Sequence, residues 1–185
     1  MSYDLLRQME VIRLNNGVEM PSVGLGTYKV RGYETVYQTL DAALGNGYRS
    51  IDTASVYLNE EDIGKALKEL LPKHGLSRSD LFLTSKLSPR DQGSGAEAGC
   101  LLSLERLACG YLDLYLIHWP GKTGWKSDDQ RNPACRRQSW EALEKLYAKG
   151  TLRAIGVSNY TAAHLEGLLA TCQVVPAVLQ AECHP

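Results

Sequence analysis

The chain has 185 residues, enough for one domain that buries most of the surface its unfolded form exposes. It is 44% apolar and 22% charged, the make-up of a globular protein, and a net charge of −1 without blocks of like charge argues against a nucleic-acid or anionic-membrane partner. No apolar run approaches membrane-spanning length, and the start, MSYDLLRQME, carries charges where a signal peptide needs its apolar centre. Cys100, Cys109, Cys135, Cys172 and Cys183 form an odd set without CxxC spacing, which fits free thiols in a reducing, cytoplasmic compartment.

In chain order, VIRLNNGVEM (11–20) predicts a hairpin, because Asn16-Gly17 tolerates positive φ between apolar-containing arms. Pro21 is expected to separate it from a first barrel strand, Val23 to Gly26. The GLG there is no Rossmann fingerprint, since the third glycine is missing and no helix follows at once; close backbone approach is its ordinary explanation. A helix from Tyr33 places Val36, Tyr37, Leu40, Ala43 and Leu44 on one stripe and stops at Gly45-Asn46-Gly47. Tyr48 to Ile51 reads as a short strand that ends on Asp52. Tyr57 lies in the following loop, and Asn59-Glu60-Glu61 opens a second helix with Ile63, Ala66, Leu67, Leu70 and Leu71 inward. Its acidic first turn suits the helix dipole.

Leu81 to Lys86 is the next strand. After a Gly/Ser-rich loop comes a helix carrying Leu101, Leu104 and Leu107. Leu112 to Ile117 forms a strand that ends on His118-Trp119-Pro120, and a polar loop from Gly121 to Ala134 is long enough to be functional. The fourth helix turns Trp140, Leu143, Leu146 and Tyr147 inward and stops at Gly150. Leu152 to Val157 is a strand ending on Ser158-Asn159. A fifth helix packs Leu165, Leu168 and Leu169, and Ala177 to Gln180 forms the sixth barrel strand.

Strand and helix alternate throughout, which calls for a parallel sheet covered by helices, and near-continuous apolar strands agree. Each strand ends on a polar group: Thr27-Tyr28, Asp52, Lys86, His118, Ser158-Asn159 and Gln180. Singly, each has an ordinary reading: Asp52 caps a turn, Lys86 is a solvated charge, His118 bonds to backbone, Ser158-Asn159 caps the fifth helix. Jointly they favour a barrel over an open sheet, because a barrel gathers strand ends into one pocket and an open sheet spreads them along a line.

VGLGTYKV, DTASVYLNE, LFLTSK, LDLYLIHWPG, GTLRAIGVSN and LQAECHP, in that order and spacing, resemble the aldo-keto reductase family over essentially the whole chain. The resemblance implies a single α/β domain over residues 1–185, a (β/α)₈ TIM barrel with a hairpin closing its bottom, here incomplete at about six βα units. It also implies NADPH as cofactor and small carbonyl compounds as substrates. Four catalytic roles carry over: Tyr57 as proton donor, Lys86 as the cation that eases the phenol toward phenolate, Asp52 as partner of Lys86, and His118 as the group orienting the carbonyl oxygen. Ser158, Asn159 and Gln180 would hold the nicotinamide carboxamide. Gly26, Thr27 and Tyr28, with Asp52, would line the cofactor's path. Tyr28, His118 and Trp119 would wall the substrate pocket, with Trp125 either reaching it from the long loop or covering the rim.

Against that pattern, eight βα units are expected and six are present. The parts of the family that stack on the nicotinamide, grip the 2′-phosphate and set substrate preference lie beyond Pro185. The expectation is therefore a shortened chain, with exposed edges at its first and sixth barrel strands, a weakened cofactor site and slow turnover. A non-catalytic binding or regulatory module on the same fold is the alternative. Cys183-His184 lacks zinc-ligand spacing, so no metal is expected. The sequence leaves the oligomeric state open.

Overall fold

The computed structural model describes residues 10–183. A two-stranded antiparallel hairpin, β1 (Val11–Arg13) and β2 (Glu19–Pro21), precedes a six-stranded sheet. The sheet strands are β3 (Leu25–Gly26), β4 (Ser50–Asp52), β5 (Phe82–Leu87), β6 (Leu114–Ile117), β7 (Ile155–Ser158) and β8 (Leu179–Gln180). They lie in chain order and every neighbouring pair is parallel. The helices α1 (Tyr33–Gly45), α2 (Glu60–Lys73), α3 (Ala96–Leu107), α4 (Asn132–Ala148) and α5 (Ala162–Leu169) make the crossovers. Among the described residues β3 and β8 are the sheet's edges.

The sheet is curled. β8 stands four strands from β4, which in a flat sheet means about 19 Å, yet Gln180 hydrogen-bonds to Asp52. This is the incomplete (β/α)₈ arrangement that the polar strand ends favoured. β5, β6 and β7 are buried at every residue, as parallel strands covered on both faces must be. The main core lies between sheet and helices, with Leu40, Ile63, Leu83, Tyr115, Trp140 and Leu143 at its centre. A second cluster, Leu14, Phe82, Leu114, Leu116 and Ala154 with Val18 and Met20 against it, fills the bottom of the curl beneath the hairpin. Asn16 ties the hairpin turn there by donating to the Arg153 carbonyl at 2.9 Å.

Several local expectations are corrected. Pro21 belongs to β2, pairing with Val11 in an edge position where its missing N–H is harmless. The first barrel strand shrinks to Leu25–Gly26, and Val23 is exposed. On α3 the buried positions are Ala96, Cys100, Ser103 and Leu107, so Leu101 faces out and Leu104 is half-buried. Small residues let that helix approach the sheet, and the leucines fall on its flank. Leu169 of α5 is likewise exposed. Thr161, not Ser158-Asn159, caps α5, its hydroxyl accepting from the His164 N–H. Of the GLG glycines, Gly24 meets the close-approach expectation: a Cβ there would lie 2.8 Å from Ser50 Oγ, whereas one at Gly26 meets nothing within 4 Å.

Gly156 is a tighter case. Its Cβ would stand 2.5 Å from the Val178 carbonyl oxygen and 2.8 Å from Leu116 Cδ2. Gly156→Ala should therefore push β8 away from β7 and lower stability by about 1–3 kcal/mol in a urea titration. An unchanged midpoint would mean that the β7–β8 contact is looser than the backbone indicates.

Candidate active site

Strand register delivers the central pair. Asp52 of β4 pairs with Thr84 of β5, and Lys86 lies two residues further along, on the same face as Thr84. The Lys86 side chain is 1% exposed; its ammonium donates to Asp52 Oδ1 and, at 2.9 Å, to the Thr53 carbonyl. Burial lowers its pKa, and the Asp52 carboxylate pulls the other way.

Past Asp52 the chain makes a 3₁₀ turn, Ser55–Tyr57, and Leu58 enters the left-handed region at φ 60°. This swings the Tyr57 ring over the strand ends. The Lys86 Nζ lies 5.2 Å from its centroid, the His118 ring packs edge-on at 5.7 Å, and the Tyr28 ring tilts against it at 5.1 Å. His118, the residue after β6, is buried, with Nδ1 lacking a hydrogen-bond partner, and Trp119 stacks on it at 6.2 Å. All four residues given catalytic roles are thus neighbours.

The pKa of the Tyr57 phenol is pushed up to about 12, first by burial, then by the Asp52 carboxylate and Tyr28. The carboxylate that holds the Lys86 ammonium thus also acts on the phenol. His118 is driven down to about 4, by burial and then by the Lys86 charge, so its imidazole is neutral at pH 7. The unfolded chain takes up a proton near pH 6.5, well before the folded one does. Stability should be full above 6.5 and fall as pH drops toward 4, and His118→Gln should remove that part of the slope in melting temperature against pH. An unaltered slope would place the imidazole in water.

The residues given cofactor roles line the same cavity, of about 860 Å³: Gly26, Tyr28, Asp52, Ser158, Asn159 and Gln180 all contribute to its wall, and Thr27 lies just behind. Thr27 donates through both N–H and hydroxyl to the Asp52 carbonyl. Asn159, at φ 61°, donates to the His118 carbonyl at 2.9 Å and to Ser158 Oγ at 3.1 Å, and Gln180 Nε2 donates to Asp52 Oδ2 at 3.0 Å. Tyr28 and Trp119 are 64% and 50% exposed at the mouth, where they can wall a substrate. Trp125 does not reach it; its ring lies under the Arg131 guanidinium at 4.2 Å, within its own loop.

One organising residue was read only as a helix opener. Asn59 occupies the N-cap position of α2, but its side chain makes no cap bond. It is 1% exposed, accepts from the Thr53 hydroxyl at 2.7 Å and donates to the carbonyls of Thr27 and Val30. It thereby locks the β3 loop to the β4 loop, which carry Tyr28 and Tyr57. Glu60, read as one of the acids that suit the helix dipole, is buried and accepts from Ser85 Oγ at 2.6 Å. Asn and Glu at a helix start look alike in sequence whether they cap it or anchor it.

Among the described residues no group of three His, Cys, Asp or Glu side chains is placed to hold a metal; His184 lies outside them. Among the described residues no helix is long and apolar enough to cross a membrane.

A curled parallel sheet gathers a phenol, a buried ammonium, a carboxylate and an imidazole at its carboxyl rim, the place where (β/α)-barrel enzymes carry their chemistry. Residues 22–185 match the model of the Aldo/keto reductase family, and the chain belongs to that family. It is 48% identical over 177 residues to glyoxal reductase of Bacillus subtilis (strain 168), covering 95% of this chain and 59% of that protein. The aldo/keto reductase from Brucella melitensis superposes with a TM-score of 0.84 at 37% identity, covering 95% of this chain and 64% of that one. An aldo-keto reductase from Bombyx mori, solved in complex with NADP, gives 0.84 at 33% identity, covering 94% and 58%. The chain spans 59% of the length of the first of these curated relatives.

Proposed function

We propose that this chain reduces aldehydes and ketones to alcohols with NADPH, with Tyr57 as proton donor. The observation that carries the reading is the placement of the Tyr57 ring against both the Lys86 ammonium and the His118 imidazole at the cavity mouth. When bound, NADPH supplies the hydride that adds to the carbonyl carbon. A phenol whose pKa is near 12 keeps its proton at neutral pH and gives it up only as negative charge builds on the carbonyl oxygen. Lys86, 5.2 Å from the ring, stabilises the phenolate left behind, and Asp52 and the Thr53 carbonyl hold the ammonium in place. The neutral His118 orients the oxygen by a hydrogen bond.

The donor set suits a nicotinamide. Its carboxamide needs one acceptor and one donor, and a hydroxyl and two amides, Ser158, Asn159 and Gln180, line one side of the cavity. Glyoxal reduction by a relative and NADP in the Bombyx mori structure support the same reading. Small aldehydes and dicarbonyls are the substrates to try first. The test is NADPH consumption with a panel of them, against a blank without aldehyde and against Tyr57→Phe. No consumption above the blank, from a folded chain, would end the proposal.

A further inference from the structure

Gln180 and Asp52 were both assigned to the cofactor, yet in the structure they bind each other across the mouth of the curl. Gln180 Nε2 donates to Asp52 Oδ2 at 3.0 Å, while Oδ1 of the same carboxylate takes the Lys86 ammonium. Each oxygen of Asp52 therefore has its own side-chain donor, and the carboxylate can turn toward neither without losing the other. The bond joins residues 128 apart. β8 is otherwise in register with the sheet at only two residues, paired to β7. The Gln180 carbonyl accepts from the Asn159 N–H at 2.9 Å, and the Asn159 side chain reaches the His118 carbonyl. A continuous polar path thus runs from Lys86 through Asp52 and Gln180 to His118.

We propose that Gln180 is a positioning residue for the Asp52–Lys86 pair, and that it exchanges its Asp52 bond for the nicotinamide when cofactor enters. The second half rests on the function proposed above; the first stands on geometry alone. Gln180 carries both N–H donors on one nitrogen, and turning that amide to meet the carboxamide draws the N–H that serves Asp52 away from it. Coupling is reciprocal: what draws Gln180 away alters Asp52, and what alters Asp52 changes the grip of Gln180 on the cofactor.

The test is by NMR of the full chain without cofactor, then with it. The side-chain ¹⁵N resonance of Lys86 is compared between wild type and Gln180→Leu, and the Gln180 amide resonances between wild type and Asp52→Asn. Lys86 and Gln180 bind different oxygens of Asp52, and asparagine replaces one of those oxygens by a donor NH₂, so one of the two loses its acceptor. Both sets are expected to shift, while dispersion elsewhere reports an intact fold. If either variant fails to fold, the other decides. Unmoved resonances in a folded variant overturn the positioning role.

NADPH is then added to the wild type, with quenching of Trp119 at the cavity mouth as the binding readout. The Gln180 amide should move with the same midpoint as the quench. A quench without that movement overturns the exchange. No quench removes the cofactor reading and the exchange with it, leaving the Lys86 and Asp52 comparisons to judge the positioning role.

Discussion

Tyr57→Phe should lower turnover of an aldehyde with NADPH by roughly 10²- to 10⁴-fold, the usual contribution of a positioned proton donor. Phenylalanine keeps the ring and hence its contacts with Tyr28, at 5.1 Å, and His118, at 5.7 Å. Only the hydroxyl is lost. In the proposed role that group meets the substrate's developing charge and not the cofactor, so NADPH affinity measured by fluorescence should stay within about threefold, less than 1 kcal/mol. The loss should appear in kcat more than in KM, the signature of an interaction made in the transition state. Equal turnover by the variant would assign the proton to another group, of which His118 is the nearest. The alkaline limb of the pH profile provides a second check. A phenol held near 12 stays protonated through neutral and mildly alkaline pH, so activity should not decline there through loss of the donor.

The largest stability effect is expected far from the chemistry. Asp113 precedes β6 and is 1% exposed. Its carboxylate accepts from Arg78 Nη2 at 2.7 Å, from Arg153 Nη1 at 3.0 Å and from the Leu83 N–H at 2.9 Å. The Arg78 guanidinium also lies 4.1 Å above the Tyr111 ring, so it cannot simply swing into water. Asp113→Ala leaves that partly buried charge and a strand N–H without their acceptor. The cost should be about 3–5 kcal/mol, a large share of the roughly 5–15 kcal/mol that keeps an ordinary domain folded. Asp113→Asn retains one acceptor oxygen and should cost less than half as much. Urea midpoints of the two variants decide this; a loss under about 1 kcal/mol for the alanine would show that the two arginines find other acceptors.

Much of the architecture was legible because it rests on local rules. Asn16-Gly17 set the hairpin, and the buried apolar runs at β5, β6 and β7 pointed to a parallel sheet. The fold class and the rim site then followed from where those strands stop. Local rules failed where packing chose among equivalent residues. Periodicity nominated Leu101 for the core of α3, but the sheet lies too close for leucine and takes Cys100 and Ser103 instead. The N-cap reading fell on Ser158-Asn159, yet Thr161 is the residue that caps α5 with its side chain.

The sequence by itself determined which chemical groups the protein has at its strand ends, and the period of its strands and helices determined that those groups share a rim. Only the tertiary structure decided what each group does to the others. That Lys86 binds Asp52, that burial and the Asp52 carboxylate raise the Tyr57 phenol to about 12, that Gln180 crosses the mouth to the same carboxylate, and that Asn59 ties two loops together all depend on distances between residues remote in the chain. Electrostatic and hydrogen-bond energies change over fractions of an ångström and with burial, and neither is written in the spacing of residues along the chain.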